Sequence, residues 1–178
     1  MGKLTVTCFI TLDNVVEDPH LWSMDFQSED TGAYNDRVLQ EADAMLLGRV
    51  TYEGFAAAWP SRSGDPFSDK FNAMPKHVVT ATLRQADWNN SHIVDADVAE
   101  RVRELKQDQN LLVWGSPSLV GFLLDEGLVD ELELLVSPIV RREGIELFDK
   151  ATRRHDLRVM ESTPLSGGML AVRLAAAA

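Results

Sequence analysis

Residues 44–55 read Ala-Met-Leu-Leu-Gly-Arg-Val-Thr-Tyr-Glu-Gly-Phe, and residues 111–122 read Leu-Leu-Val-Trp-Gly-Ser-Pro-Ser-Leu-Val-Gly-Phe. Both are a short apolar run, a glycine, a polar turn and a helix-like stretch. In each, a second glycine and then a phenylalanine follow at the same spacing (Gly48, Gly54, Phe55; Gly115, Gly121, Phe122). A strand that ends at glycine and opens a helix is how α/β proteins set free backbone N–H groups against a phosphate. Two such ends side by side would hold both ends of a dinucleotide. The same pattern also serves ordinary β–α turns, where glycine only permits close packing, and the local sequence leaves both readings open.

Working outward, residues 4–10 alternate, with Leu4, Val6, Cys8 and Ile10 on one face and Thr5, Thr7 and Phe9 on the other, which is strand periodicity. Residues 11–28 are irregular and long for a plain connection, so they form a candidate functional loop. A helix is expected over 29–42, a buried strand over Met45–Leu47 and a helix over 49–58 that Trp59-Pro60 ends. A polar loop is expected over 61–69. Lys76–Ala81 and Ser91–Val94 read as strands. Asp97 and Glu100 have capping-box spacing ahead of a helix whose apolar face is Val98, Val102 and Leu105. Leu111–Trp114 is the next strand. In the helix after it, Ser116 is a favoured N-cap, Pro117 a favoured first residue, and Gly127 sits where a left-handed C-terminal residue belongs. Residues 131–137 form a strand stopped by Pro138, and two late strands follow around 156–162 and 169–175. The early β–α alternation predicts a largely parallel sheet with the last strands antiparallel at one side. The reading is a single domain over 1–178, with a fraying tail at Ala175–Ala178.

The chain has 178 residues, 45% hydrophobic and 25% charged, an ordinary globular mix. A net charge of −11 argues against nucleic acid, which is held by cationic contacts to phosphates. It leaves room for a phosphorylated small molecule, which needs only a local cationic spot. The longest apolar run, Leu119–Leu124, is too short to span a bilayer, so no membrane association is expected. Cys8 is the only cysteine, and no secretory stretch precedes the first strand. A cytoplasmic protein is expected. His20, His77, His92 and His155 are scattered without metal-ligand spacing, and no metal is expected. Pro117 occupies the serine position that a nucleophile elbow at Gly115 would need.

Four collinear segments resemble the dihydrofolate reductase-like superfamily, most closely the reductase half of the bifunctional riboflavin-biosynthesis deaminase–reductase. Thr11-Leu12-Asp13-Asn14-Val15-Val16-Glu17-Asp18 is similar to the family's loop after its first strand. Leu47-Gly48-Arg49-Val50-Thr51-Tyr52-Glu53 resembles its G-R-x-T-Y/W-E motif. Lys76-His77-Val78-Val79-Thr80-Ala81-Thr82-Leu83 resembles its third-strand end. Trp114-Gly115-Ser116, Gly127-Leu128-Val129-Asp130-Glu131-Leu132, Pro138 and Leu147-Phe148 resemble its C-terminal run. The resemblance implies a dihydrofolate reductase-like three-layer α/β fold, a mostly parallel twisted sheet with helices on both faces. It also implies an NADPH-dependent reductase and a homodimer built through the late strands.

By that resemblance, Gly48, Arg49 and Thr51 would meet the cofactor's phosphates, with Arg49 facing the 2′-phosphate that separates NADPH from NADH. Thr80, Thr82 and Arg84 would lie along the adenosine ribose phosphate. Trp114, Gly115 and Ser116 would adjoin the pyrophosphate, with Ser116 both capping its helix and donating a hydrogen bond. Asp13 and the loop to Trp22 would close over nicotinamide and substrate, the proton coming from water or from a carboxylate such as Asp13. Asp30, with Glu29, lies near the substrate acid of dihydrofolate reductases. The chain departs from the family in Ser116, where a paired glycine is usual, in Asn14, where a loop glycine is usual, and in Arg141-Arg142-Glu143-Gly144, where relatives are richer in glycine.

Each residue has a plainer reading. Arg49 would be a solvated helix-start cation, Thr51 a cap-region hydroxyl and Asp13 a turn aspartate. Asp30 and Glu29 would be negative charge at a helix N-terminus. Trp22, Tyr52, Phe55, Trp59 and Trp114 line a pocket or fill the core. Arg141 and Arg142 are solvated or hold a substrate phosphate. Three functions stand. The first is reduction of a ribosylamino-pyrimidine of riboflavin synthesis or another small heterocycle. The second is a dihydrofolate or pterin reductase. The third is a non-catalytic nucleotide-binding protein that kept the fold. A zinc deaminase cannot be built from one cysteine.

Overall fold

The computed structural model describes residues 1–176. The strands are β1 (Leu4–Thr11), β2 (Ala44–Gly48), β3 (Lys76–Val79), β4 (Ser91–Val94), β5 (Leu111–Trp114), β6 (Glu131–Ser137), β7 (Leu157–Pro164) and β8 (Leu170–Ala176). The helices are α1 (Glu29–Gln40), α2 (Arg49–Ala58), α3 (Pro66–Ala73), α4 (Val98–Asp108) and α5 (Pro117–Asp125). One sheet runs β4-β3-β2-β5-β1-β6-β8-β7. The first six are parallel, and β8 and β7 are antiparallel, as the sequence predicts.

Helices cover both faces because the strands are apolar on both. Leu4, Val6, Cys8, Ile10, Leu46 and Val113 pack against Val102 and Leu105 of α4 and the Leu119, Val120, Leu123, Leu124 stripe of α5. On the other face Met45, Leu47, Val78 and Leu112 pack against Val38 and Leu39 of α1, Tyr52 of α2 and Phe71 of α3. Burial of Cys8 pushes its thiol up to about 12, which leaves it inert at neutral pH. No helix among the described residues is long and apolar enough to cross a membrane.

The two second glycines prove unlike. A Cβ on Gly121 would lie 2.6 Å from the Lys150 carbonyl carbon, so the chain passes directly over α5 there. Gly54 has nothing within 4 Å. Gly127 at φ 65 ends α5 as expected.

The structure corrects several local expectations. The polar loop over 61–69 holds the start of α3, where Asp65 caps the Ser68 N–H at 2.9 Å and Pro66 takes the first turn. β3 ends at Val79 rather than Ala81, because the Thr80 hydroxyl accepts the N–H groups of Thr82 (3.1 Å) and Leu83 (3.0 Å) and turns the chain. α1 stops at Gln40. Asp97 is left-handed at φ 48 and its side chain caps nothing, so the capping box does not form. Ala175 and Ala176 do not fray: they pair with Arg158 and Leu157. Residues 177 and 178 of the expected tail lie outside the described residues.

Candidate functional site

β2 and β5 are neighbours, so their C-terminal ends place the two glycine turns side by side. Gly48 leads into α2 and Gly115-Ser116 into α5, and neither helix has a side-chain cap. Uncapped first-turn N–H groups carry the positive end of the helix dipole. Gly115 and Ser116 are consecutive left-handed residues at φ 70 and φ 60, which swings the chain sharply into α5. No atom lies within 4 Å of where a Gly115 Cβ would stand, so the backbone there opens onto free space.

Ser116 does not cap α5, contrary to the sequence expectation. Its hydroxyl reaches across to the other turn, accepting the Gly48 N–H at 3.0 Å and donating to Thr51 Oγ1 at 2.8 Å. A Cβ on Gly48 would sit 3.2 Å from Ser116 Oγ, a tight contact that the serine side chain would have to yield to by a few tenths of an ångström. The structure thus brings Gly48, Thr51, Gly115 and Ser116 together. Arg49 stands at the head of α2, ion-paired with Glu53 at 2.9 Å on the surface. Thr80 follows the end of the neighbouring β3, its hydroxyl accepting the two N–H groups of the turn. Thr82 and Arg84 are exposed on the loop beyond it. Trp114, last residue of β5, is half-buried and meets Phe67 and Phe71 edge-on at 6.0 and 5.6 Å.

Asp13 lies on the same sheet edge, beyond β1. Its carboxylate accepts the Thr11 hydroxyl at 2.6 Å and the backbone N–H groups of Arg141 (3.1 Å) and Arg142 (2.7 Å). The Thr11 hydroxyl first, then the Arg142 N–H, hold it at about 2. It is ionised at neutral pH, and its geometry is that of a clamp rather than a proton source. Asn14 takes φ 66, a left-handed conformation that Asn tolerates better than most non-glycine residues. Exposed Leu12 and Val140 flank the clamp. Trp22 is buried with its Nε1–H donated to the Glu17 carbonyl at 2.8 Å.

Asp30 is committed elsewhere. It accepts the Ser28 hydroxyl, and the Ser166 N–H (2.7 Å) and hydroxyl (2.8 Å) in the β7–β8 turn, and is held at about 2 chiefly by Ser28. Glu29 is exposed. Sequence reasoning missed two groups. Ser137, at the end of β6 beside Thr11, is fully buried, and its hydroxyl has no hydrogen-bond partner among the described residues. Glu133, buried on β6, accepts the Tyr34 hydroxyl and pairs with Arg37 (3.3 Å) and Arg173 (3.4 Å).

A glycine-turn pair on neighbouring parallel strands, with antiparallel strands closing one side, defines a dihydrofolate reductase-like α/β protein. The model of the RibD C-terminal domain matches residues 2–171, and the chain belongs to that family. It is 26% identical over 177 residues to the uncharacterised protein YyaP of Bacillus subtilis strain 168, covering 96% of this chain and 93% of the relative. A protein of Shewanella sp. PV-4 assigned to riboflavin biosynthesis has the same fold, with a TM-score of 0.76 at 17% identity over 99% of both chains. So does a diaminohydroxyphosphoribosylaminopyrimidine deaminase/5-amino-6-(5-phosphoribosylamino)uracil reductase of Thermotoga maritima. There the TM-score is 0.69 at 16% identity, over 99% of this chain and 57% of that longer one.

Proposed function

We propose that the chain is an NADPH-dependent reductase of a small heterocyclic substrate, of the ribosylamino-pyrimidine class, working in the cytoplasm. The observation that carries this reading is the pair of uncapped helix N-termini, α2 and α5, on adjoining strands. They suit the two ends of a dinucleotide, with Gly48, Arg49, Thr51, Gly115 and Ser116 as its neighbours. Arg49 would exchange its exposed Glu53 pair for the 2′-phosphate, with Thr80, Thr82 and Arg84 along the ribose and Trp114 behind the pyrophosphate. When bound, NADPH supplies a hydride.

The protein's own part is orientation and water exclusion. Asp13 fixes the 138–147 segment against the first loop. Leu12 and Val140 offer apolar surface to a flat ring. The proton comes from water, since three donors hold the Asp13 carboxylate in its ionised form. Engagement of Asp30 by Ser28 and Ser166 disfavours the pterin-reductase alternative, which needs a free substrate acid. A second copy of the chain is the proposed partner, along β7, an edge strand that exposes Val159 and Met160.

The test is titration with NADPH and with NADH, followed by tryptophan fluorescence, with Trp114→Phe as control. Preference for NADPH is expected, and Arg49→Ala should cost it about tenfold, the worth of one charge-assisted hydrogen bond. Failure of both nucleotides at high micromolar concentration overturns the reading in favour of a non-catalytic protein.

A further inference from the structure

Ser116 is where this chain departs from the paired glycines its family resemblance implies, and the structure gives the serine a definite task. A hydroxyl has one proton to donate. Here that proton goes to Thr51 Oγ1 at 2.8 Å, while a lone pair takes the Gly48 N–H at 3.0 Å. Ser116 itself is buried, while Gly48 and Thr51 are only half-buried, so the turn they form stays within reach of a ligand. The Gly48 N–H is the donor that opens α2. Ser116 Oγ therefore stands where an oxygen of a bound phosphate would accept from that N–H, and its own proton is not available to such an oxygen.

A non-glycine residue at φ 60 also carries backbone strain of its own. The two bonds to Gly48 and Thr51 offset that strain, and they tie the β2–α2 turn to the β5–α5 turn. A glycine at 116 would relax the backbone and leave both turns independent.

We propose that Ser116 is a specificity-determining latch. Its hydroxyl substitutes for a phosphate oxygen at the head of α2, and a dinucleotide binds by displacing it. This rests on the reading of the site as a dinucleotide site. It differs from the sequence expectation that Ser116 donates to the pyrophosphate, and the two make opposite predictions. If Ser116 were a direct ligand, removing its hydroxyl would weaken binding. If it is a latch, removing it frees Gly48 and strengthens binding.

The experiment compares NADPH titrations of the wild-type protein, Ser116→Ala and Ser116→Gly by tryptophan fluorescence. The Gly48 amide exchange rate is measured by NMR without nucleotide, and unfolding midpoints confirm that the variants are folded. Ser116→Ala should bind NADPH about fivefold tighter, the worth of one neutral hydrogen bond released to the ligand. Ser116→Gly should bind at least as tightly. In both, the Gly48 amide should exchange faster than in the wild-type protein. Weaker binding by Ser116→Ala overturns the latch and makes Ser116 a direct ligand. Unchanged binding with unchanged Gly48 exchange also overturns it. Absence of NADPH binding by all three proteins overturns the dinucleotide reading itself, and the latch with it. Binding by the wild-type protein with no gain in the variants sinks the latch alone.

Discussion

The carboxylate of Asp13 accepts the backbone N–H of Arg142 at 2.7 Å, joining the first loop to the segment after β6. Around that bond the two segments zip together: Leu12 donates to Ile139 (2.9 Å), Val16 to Ile145 (2.9 Å) and Leu147 to Asn14 (2.9 Å). Arg142 itself is left-handed at φ 68, a conformation that a non-glycine residue keeps only when its surroundings fix it.

Asp13→Asn retains the shape but loses the charge that two N–H groups and a hydroxyl share. It should lower the unfolding midpoint at neutral pH and speed amide exchange at Arg141 and Arg142. Asp13 lies at about 2 in the fold against an ordinary 3.8, so its stabilisation is complete above about 3.8 and lost as pH falls through 2. The gap between wild type and variant should therefore close on acidification through that window. A gap that stays constant down to pH 2 would rule out a charged clamp.

Lys76 is fully buried, with its ammonium donating to the carbonyls of Asn72 (2.7 Å), Met74 (2.8 Å) and Asn89 (3.1 Å), and 4.3 Å from the Trp88 ring centroid. Burial pulls it down to about 8, so it stays charged at neutral pH. Lys76→Met fills the space but leaves three carbonyls without their donor. A loss of about 1–3 kcal/mol is expected in chemical denaturation, the cost of leaving buried carbonyls without a donor. A loss below about 1 kcal/mol would mean that the ammonium is merely tolerated.

The parallel core was legible because its signals are local. Leu4, Val6, Cys8 and Ile10 alternate, and Pro117 and Gly127 bracket α5. α3 was hidden by composition: Ser, Gly and Asp around 61–69 look like loop, although Asp65-Pro66 is a helix-start pair. The sequence marks Ser116 as a residue that seeks an N–H but points to its own helix, because Gly48 is distant in sequence and adjacent only through the β2–β5 pairing. Glu133 could not be found at all. In Glu131-Leu132-Glu133-Leu134 it looks like the wet side of a strand, and only the folded sheet and α1 bring Arg173, Arg37 and Tyr34 to it.

Glu133 tests that last point. Burial, and then the carboxylate of Glu133, push the Tyr34 phenol well up, so Tyr34 stays a protonated donor to it. Glu133→Ala takes the buried acceptor from the Tyr34 hydroxyl and leaves Arg173 and Arg37 only their outer partners, Glu131 and Glu41, and should cost about 1–3 kcal/mol. Glu133→Gln keeps the acceptor oxygen and should cost less. Equal losses for the two variants would show that volume, and not charge, is what the site needs.

His77 predicts a pH dependence of opposite origin to Asp13. It is buried on β3 with both ring nitrogens lacking a partner among the described residues, 5.8 Å from the His92 ring on β4. Burial first, then the charges of Arg101 and His92, lower it to about 4 from an ordinary 6.5. The fold thus keeps His77 neutral where the unfolded chain would protonate it. Stability is complete above about 6.5 and falls as pH drops toward 4, below which the loss is constant, up to about 3 kcal/mol from this residue. His77→Leu removes the titration, so its stability should stay flatter than the wild-type protein's between pH 6.5 and 4. Parallel curves for the two proteins would show that His77 is reached by water and titrates normally in the fold.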